Sequence, residues 1–320
     1  MTVKRQALKN VTQASWLFGH PVIRSDKNSV AYWARPTQSP LNQKGGGWMA
    51  CLYGGVQTGD DWAALYVPVN EMPISLFEKA QWSYYMTGTE TMGVNIVLWV
   101  HDPDDFDNRA EITQLGGHSG LEKAAGWNAH EFNPATTQMF FYGENTTGTN
   151  LTAGTQYTWN QFQADNLFSR WTIYRISIEH GWEASGTFDP VWVSEVKLNE
   201  VPIPLKPTEE DLDAPVFQYT TGSSAIAATL APKTPFELLR IELHLSSAAT
   251  QDTFTVTLDA GRAATVYDTL VTSQAMNGYA DLIAVYGGEG FRFMEDDEID
   301  CAFTNTDART YGVTYVWRPR

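Results

Sequence analysis

The sequence has few cysteines, few basic residues and no long apolar run. Its 320 residues include two cysteines, Cys51 and Cys301, which form neither a CxxC pair nor a zinc pattern, so we expect two buried thiols. Lysine and arginine total 21 against 37 acidic residues. This balance disfavours nucleic acid and anionic membrane surfaces as partners. No stretch approaches the roughly 18 apolar residues of a membrane-spanning helix.

Motifs that identify common catalytic sites are also absent. The sequence contains no GxxxxGK[ST] phosphate loop, no GxGxxG, no HExxH and no GxSxG elbow. The acidic run at 295–300 does not place paired carboxylates on one strand face, because Asp296 stands where an apolar residue is expected. We interpret that run as a solvated hairpin turn. The sequence therefore predicts a protein that is not an enzyme and needs no cofactor.

Strand-like segments are what the sequence does contain. In the second half, apolar residues alternate with polar ones at Leu239, Ile241, Leu243 and Leu245, and again around Val313. Turn residues separate the segments, and no amphipathic helices lie between them. The fold class is therefore predicted as all-β, with two antiparallel, jelly-roll-like β-sandwich domains in tandem. In the first half, the predicted strands are 62–69, 80–86, 94–101, 138–142, 171–178 and 191–198.

A change in composition marks the domain boundary. Residues 206–214 combine prolines with a run of acids, which is typical of an extended linker. Eleven of the twelve tryptophans precede residue 206. We predict a jelly-roll, concanavalin-like sandwich over 46–205 and a small β-sandwich over 215–320. Residues 1–45 are predicted as an N-terminal arm or as edge strands of the first domain.

Two sets of residues are candidate sites. Exposed tryptophans stack on sugar rings, although large aromatics also fill a wide sandwich core, and the sequence leaves both roles open. The four aspartates of 102–107 could supply oxygen ligands to Ca²⁺, and the alternative is a polar turn capped by its own side chains. The candidate glycan-stacking residues are Trp48, Trp62, Trp127, Trp159 and Trp182. The candidate calcium ligands are Asp102, Asp104, Asp105 and Asp107.

Two segments carry a resemblance to known proteins. Residues 171–183, with 186–188, 191–199 and 203–205, resemble the closing strands of concanavalin- or laminin-G-like jelly rolls in tailed-phage virion proteins. Residues 266–270, 273–274 and 300–312 are similar to a small β-sandwich module of phage structural proteins. The resemblance implies a virion component, such as a capsid decoration protein, a head fibre or a tail-associated adaptor. It carries over no functional residue.

The leading hypothesis is therefore a non-enzymatic structural protein of a tailed-phage particle, located in the virion. Its expected partners are other virion proteins, major capsid or tail proteins among them. The class also leads us to expect a homo-oligomer, with a trimer favoured because trimers suit three-fold lattice sites. The alternative is a carbohydrate-binding adhesin or a receptor-binding module, which rests on the tryptophan content and the jelly-roll prediction.

Overall fold

The computed structural model describes Leu17 and residues 19–38, 40–44, 47–182, 184–261, 268–286 and 291–320. Within these residues the chain is all-β with antiparallel strand pairs, which confirms the predicted fold class. Contacts divide the chain into unit 1, Met1–Ala31 with Met49–Lys206, and unit 2, Tyr32–Trp48 with Pro207–Arg320. Among the described helices, none has the length and apolar character needed to cross a bilayer.

The first sheet of unit 1 has the strand order β1-β4-β11-β6-β7-β9-β10. The strands predicted at 62–69, 94–101, 138–142 and 171–178 are all present, because their β-branched and aromatic residues favour the pleated strand. The strands are β1 (Val22–Asp26), β4 (Trp62–Pro73), β6 (Asn95–Asp102), β7 (Asp105–Thr113), β9 (Gln138–Glu144), β10 (Tyr157–Thr158) and β11 (Thr172–Gly181).

The second sheet of unit 1 contains the order β3-β12-β5-β8, with β13 paired to β12. These strands are β3 (Met49–Gly59), β5 (Ala80–Met86), β8 (Gly126–Phe132), β12 (Ala184–Leu198) and β13 (Val201–Pro202). Strand β2 (Val30–Ala34) leads from unit 1 into unit 2. Short helical segments are Leu41–Lys44, Ile74–Leu76, Trp159–Ala164, Phe168–Arg170 and Glu209–Asp213.

The core of unit 1 lies between its two sheets. Ile178 of β11 is paired with Leu65 of β4 on one side and Ile96 of β6 on the other, and all three are completely buried. The indole N–H of Trp82, on the second sheet, donates to the carbonyl oxygen of Val94 at 2.9 Å, just before β6 begins. Burying each large apolar side chain contributes about 1.5–3 kcal/mol, so such rows hold the sandwich together. Cys51 is buried and lies outside any disulfide, as predicted.

Unit 2 contains two further sheets, with orders β14-β22-β16-β19 and β15-β21-β17-β18, and β20 paired to β16. These strands are β14 (Val216–Gly222), β15 (Ile226–Leu230), β16 (Phe236–Leu245), β17 (Thr253–Asp259), β18 (Thr269–Ala275), β19 (Asp281–Val285), β20 (Phe291–Phe293), β21 (Glu298–Phe303) and β22 (Tyr311–Pro319). The hydroxyl of Tyr315 on β22 donates to the carbonyl oxygen of Ala228 on β15 at 2.7 Å, so the two sheets face each other. Cys301 is likewise buried and lies outside any disulfide.

The alternation predicted for β16 is interrupted once. Ile241 and Leu243 are buried as expected, but Leu239 is only partly buried. The pairing between β16 and β22 shifts between Leu238 and Arg240, which makes Leu239 the extra residue of a β-bulge. A bulge reverses the side-chain phase of the strand, so Leu238 faces the core in its place.

Two predicted segments differ from the structure. Residues 32–48 were all expected with the first domain, but Tyr32–Trp48 belongs to unit 2, where the Tyr32 hydroxyl donates to the Pro232 carbonyl oxygen at 3.0 Å. The predicted linker 206–214 contains a short helix rather than only extended chain, because Thr208 and Asp211 form a capping box at its start. The first sixteen residues of the predicted N-terminal arm, and positions 266 and 267 of the second resemblance, lie outside the described residues.

The acidic run at 295–300 is only partly a solvated turn. Glu295 is buried, and its carboxylate accepts hydrogen bonds from the Thr37 N–H at 2.6 Å and the Thr37 hydroxyl at 2.8 Å. A buried carboxylate needs such donors to offset its lost hydration. Glu295 therefore anchors the 32–48 segment within unit 2.

Candidate functional site

The first sheet of unit 1 carries a cleft on the face turned away from the core. Ser177 and Glu179 of β11 lie on this face, since Ile178 between them is a core residue. Strand register places Ser177 between Tyr66 of β4 and Val97 of β6. The described residues lining the cleft are Trp62, Tyr66, Val97, Trp99, Glu111, Thr113, Glu179 and Trp182. Its volume of about 80 Å³ corresponds to roughly two or three waters at about 30 Å³ each, enough for substituents of a ligand lying across it.

Aromatic rings form the walls of this cleft. Trp62, Tyr66 and Trp99 are each partly exposed. The guanidinium of Arg175 lies 3.9 Å from the ring centre of Trp99 and 4.4 Å from that of Tyr66. A cation between two aromatic rings attracts both, so this stack fixes the positions of Tyr66 and Trp99 before any ligand arrives.

Trp182 reaches the cleft from a strained turn. Its φ is +60°, a value rare for a bulky side chain, and its N–H donates to the carbonyl oxygen of Asp61 at 2.7 Å. The preceding residue is Gly181, where a Cβ would lie 2.7 Å from the same oxygen. The Trp182 ring then packs against Phe140 at 6.4 Å and Tyr142 at 5.6 Å between ring centres. Backbone strain of this kind persists where the surroundings hold it, often at functional sites.

A hydrogen-bonded chain crosses the floor of the cleft. The indole N–H of Trp99 donates to Ser177 Oγ at 2.8 Å, and the Ser177 hydroxyl donates to Glu179 Oε1 at 2.5 Å. Glu179 is only 8% exposed. Burial raises the pKa of Glu179 to about 7, while the Ser177 hydrogen bond opposes the rise and the charge of Glu111 adds to it.

The aromatic surface continues along the sheet beyond the cleft. Tyr174 lies 5.1 Å from Phe106 and 5.4 Å from His101 between ring centres. Phe106 is 48% exposed. From Gly181 to Tyr174 the strand advances about 23 Å at about 3.3 Å per residue. The face therefore offers rings over the length of an extended ligand rather than at one point.

The structure separates the five tryptophans predicted as sugar-stacking residues. Trp62 and Trp182 line the cleft together. Trp127 lies partly buried on β8 of the other sheet, and Trp48 belongs to unit 2. Trp159 is completely buried in the core of unit 1, and its indole N–H donates to a backbone carbonyl oxygen at 2.8 Å. The prediction is corrected for Trp159, because no ligand can reach its ring.

Sequence reasoning missed Trp99 and Tyr66. Both lie on the outer face of the first sheet, and each is preceded along its strand by a buried core leucine, Leu98 before Trp99 and Leu65 before Tyr66. An aromatic residue at the solvent-facing phase of a strand was the available signal. The signal was obscured because apolar residues occur on both faces of these two strands.

The four aspartates predicted as calcium ligands lie in the hairpin between β6 and β7. The N–H of Asp104 donates to Asp102 Oδ1 at 3.0 Å, and the N–H of Asp107 donates to Asp105 Oδ1 at 3.1 Å. These are the side-chain caps of a polar turn. Across the described ranges, no group of three or more metal-ligating side chains is arranged to hold a metal ion. Calcium binding at this hairpin stays a prediction, which a Ca²⁺ titration can test.

A second, larger groove of about 570 Å³ borders the other sheet of unit 1. Glu195, at φ +49° beside a β-bulge, accepts a hydrogen bond from Ser83 at 3.1 Å. Burial lowers the pKa of His130 to about 4, which keeps its ring neutral. The tryptophan of this groove, Trp82, is only 1% exposed. Without an accessible tryptophan, the groove lacks the aromatic platform that the first cleft has.

No family model matches this chain, and no curated protein matches it. Among solved structures, it is similar to the family 11 carbohydrate-binding module of the Clostridium thermocellum cellulase Lic26A-Cel5E, at 10% identity and a TM-score of 0.33, covering 57% of this chain and 88% of that one. It is also similar to the L4b domain of human laminin alpha-2, at 14% identity and a TM-score of 0.28, covering 56% of this chain and 96% of that one. A third similar structure is the CBM22-1-CBM22-2 tandem domain of Paenibacillus barcinonensis Xyn10C, at 10% identity and a TM-score of 0.28, covering 93% of this chain and 92% of that one. At TM-scores this low, none of the three identifies a ligand.

Proposed function

We propose that this chain binds an extended carbohydrate through the aromatic cleft of unit 1. The observation that carries the proposal is the cleft itself, where Trp62, Tyr66, Trp99 and Trp182 surround the carboxyl group of Glu179. Sugar rings present apolar C–H faces that pack on aromatic rings, and their hydroxyl groups need hydrogen-bond partners. Pockets with apolar walls and a few placed polar groups are typical of small-ligand sites.

The cleft is also prepared for a ligand before binding. Arg175 holds two of the rings, and the turn at Gly181 holds Trp182. Rings that are already fixed lose little conformational freedom on binding, which favours affinity. The additional rings of Tyr174 and Phe106 suit a polymer of several sugars lying along β11.

Binding is tested by isothermal titration calorimetry with soluble polysaccharides and the variants Trp99→Ala and Trp182→Ala. We expect each variant to lose about tenfold or more in affinity, as is usual for a central aromatic contact. Trp127→Ala removes a partly buried tryptophan of the same unit outside the cleft, and it should bind like the unsubstituted protein. Equal affinities for all four proteins would overturn the proposal.

The same cleft contains two carboxyl groups, so hydrolysis must be measured beside binding. We expect no release of reducing sugar ends after prolonged incubation with a bound polysaccharide. Release that disappears in Glu179→Gln would instead identify a glycoside hydrolase with Glu179 as its acid, since a buried carboxyl with a raised pKa suits that role.

The virion role, its capsid or tail partners and the trimer remain predictions from the resemblance. A glycan-binding surface on a phage particle would serve attachment to a cell surface, so the two ideas are compatible. Mass spectrometry of purified particles tests the virion role separately. Absence of the protein from particles would leave carbohydrate binding unaffected.

A further inference from the structure

Among the described residues, one carboxylate oxygen of Glu179 accepts a hydrogen bond and the other accepts none. Trp99 donates its N–H to Ser177 Oγ, so the Ser177 hydroxyl hydrogen is directed to Glu179 Oε1. Oε2 has no hydrogen-bond partner among the described residues, although Glu179 lines the cleft. Oε2 is not one of the fully buried polar atoms that lack a partner in the described part of the chain, so it is open to water or a ligand in the cleft. An acceptor with free capacity therefore lies at the floor of an aromatic cleft.

The charge of the cleft narrows what can satisfy that acceptor. The described lining residues include the carboxyl groups of Glu111 and Glu179, and no lysine or arginine. Arg175 lies close by, and its guanidinium, packed against Tyr66 and Trp99, keeps its positive charge and offsets part of the negative charge of the two carboxylates. A carboxylate or sulfate group on a ligand would meet like charges in a partly desolvated site, and this repulsion selects against anionic partners.

We propose that Glu179 makes this cleft selective for neutral glycans, with ligand hydroxyl groups donating hydrogen bonds to its free carboxylate oxygen. The inference rests on the carbohydrate-binding function proposed above and adds its ligand class. Where Glu179 is ionised, the two carboxylates outweigh the charge of Arg175, so uronate-containing and sulfated polymers are disfavoured. Charge-assisted hydrogen bonds to a carboxylate are stronger than neutral ones, so Glu179 contributes affinity as well as selectivity.

The same geometry makes binding depend on pH. The titratable or charged groups facing Glu179 are Tyr66 of β4, Glu111 of β7 and Arg175 of its own strand, while Val97 and Trp99, the cleft residues of β6, do not titrate. Because its pKa is raised to about 7, Glu179 changes charge near neutrality. Ligand hydroxyl groups donate to the ionised form, so affinity should rise with pH.

The size of this effect follows from the ionised fraction. With a pKa of about 7, roughly 3% of Glu179 is ionised at about pH 5.5 and nearly all at about pH 8.5. The apparent affinity is proportional to the fraction of the protein in which Glu179 is ionised, so binding should weaken by about 30-fold at the lower pH. Glu179→Gln cannot titrate, and its affinity should be low and independent of pH.

The experiment measures binding of the full chain to hydroxyethylcellulose, soluble starch and galactomannan as neutral polymers, and to polygalacturonate and alginate as acidic ones. Titrations at about pH 5.5 and about pH 8.5 compare the unsubstituted protein with Glu179→Gln, with Trp127→Ala as the matched control. Ser177→Ala is a second variant. It removes the hydroxyl that donates to Glu179 Oε1 and so raises the pKa of Glu179. The pH at which binding is half-maximal should therefore move upward, without loss of binding.

Three outcomes are distinguishable. Binding of a neutral polymer but neither acidic one, with a pH dependence that Glu179→Gln abolishes, supports the inference. Binding of an acidic polymer as tightly as a neutral one at about pH 8.5, where Glu179 is ionised, or an unchanged pH profile in Glu179→Gln, overturns the inference and leaves carbohydrate binding standing. Failure of the unsubstituted protein to bind any of the five polymers at either pH counts against the proposed function itself.

Discussion

Replacing Glu179 with glutamine should stabilise unit 1 at alkaline pH and leave it unchanged in acid. Glutamine keeps the shape of the side chain and its capacity to accept the hydrogen bond from Ser177. It removes the charge that unit 1 otherwise buries when Glu179 ionises. A functional carboxyl held in a desolvated cleft is thus expected to reduce the stability of the fold that contains it.

The magnitude follows from the pKa of Glu179, which rises from 4.5 to about 7 in the folded chain. A group with a raised folded-state pKa contributes its stability below the unfolded value, and that stability is lost as the pH rises through the folded value. At about 1.4 kcal/mol per pKa unit, the ionised carboxyl costs about 3 kcal/mol above pH 7. Glu179→Gln should recover this free energy at about pH 8.5, which corresponds to ~6–12 °C in Tm for a unit of this size.

Urea unfolding followed by tryptophan fluorescence is a suitable assay. Nine of the twelve tryptophans lie in the ranges of unit 1, so the signal reports mainly on that unit. The measurement compares the unsubstituted protein and Glu179→Gln at about pH 4 and about pH 8.5. At the lower pH both side chains are uncharged, and the two free energies of unfolding should agree within about 0.5 kcal/mol.

A Glu179→Gln protein no more stable than the unsubstituted one at about pH 8.5 would refute the ionisation cost at Glu179. Equal stabilisation at about pH 4 would refute it too, because the effect would then be independent of ionisation. Trp127→Ala serves as the control for pH effects shared by the whole chain. Its difference from the unsubstituted protein should not change between the two pH values.

Two further predictions concern buried residues of each unit. Glu237 is completely buried and accepts hydrogen bonds from Arg318 and Arg320. Glu237→Gln should therefore lower the free energy of unfolding of unit 2 by about 3–5 kcal/mol in urea. The control Glu242→Gln, at a partly exposed ion pair, should lower it by under about 1 kcal/mol. Trp159→Ala should cost unit 1 about 3–5 kcal/mol by the same assay, because it removes a fully buried ring. Equal losses for the two glutamate variants, or a Trp159→Ala protein as stable as the unsubstituted one, would contradict these assignments.

The strands were largely predictable because their signal is local. Alternation of apolar and polar side chains needs only the residues of one strand, and it located β17 and β22, while β-branched and aromatic content indicated the longer strands of unit 1. The bulge at Leu239 was not predictable, since it depends on which residues of β22 lie opposite. The placement of residues 32–48 in unit 2 likewise depends on contacts more than 150 positions away along the chain, such as that between Thr37 and Glu295.

By itself, the sequence determined that this chain is all-β, poor in cysteine, acidic and rich in tryptophan in its first half. The tertiary structure alone decided which tryptophans share a site. Trp62 and Trp182 lie 120 positions apart and meet because β4 pairs with β11, while Trp99 joins them from the other side of β11. It also decided that one glutamate among many, Glu179, lies at the floor of that cleft. Strand pairing is non-local, and the burial that raises the pKa of Glu179 exists only once β4, β6 and β11 have come together.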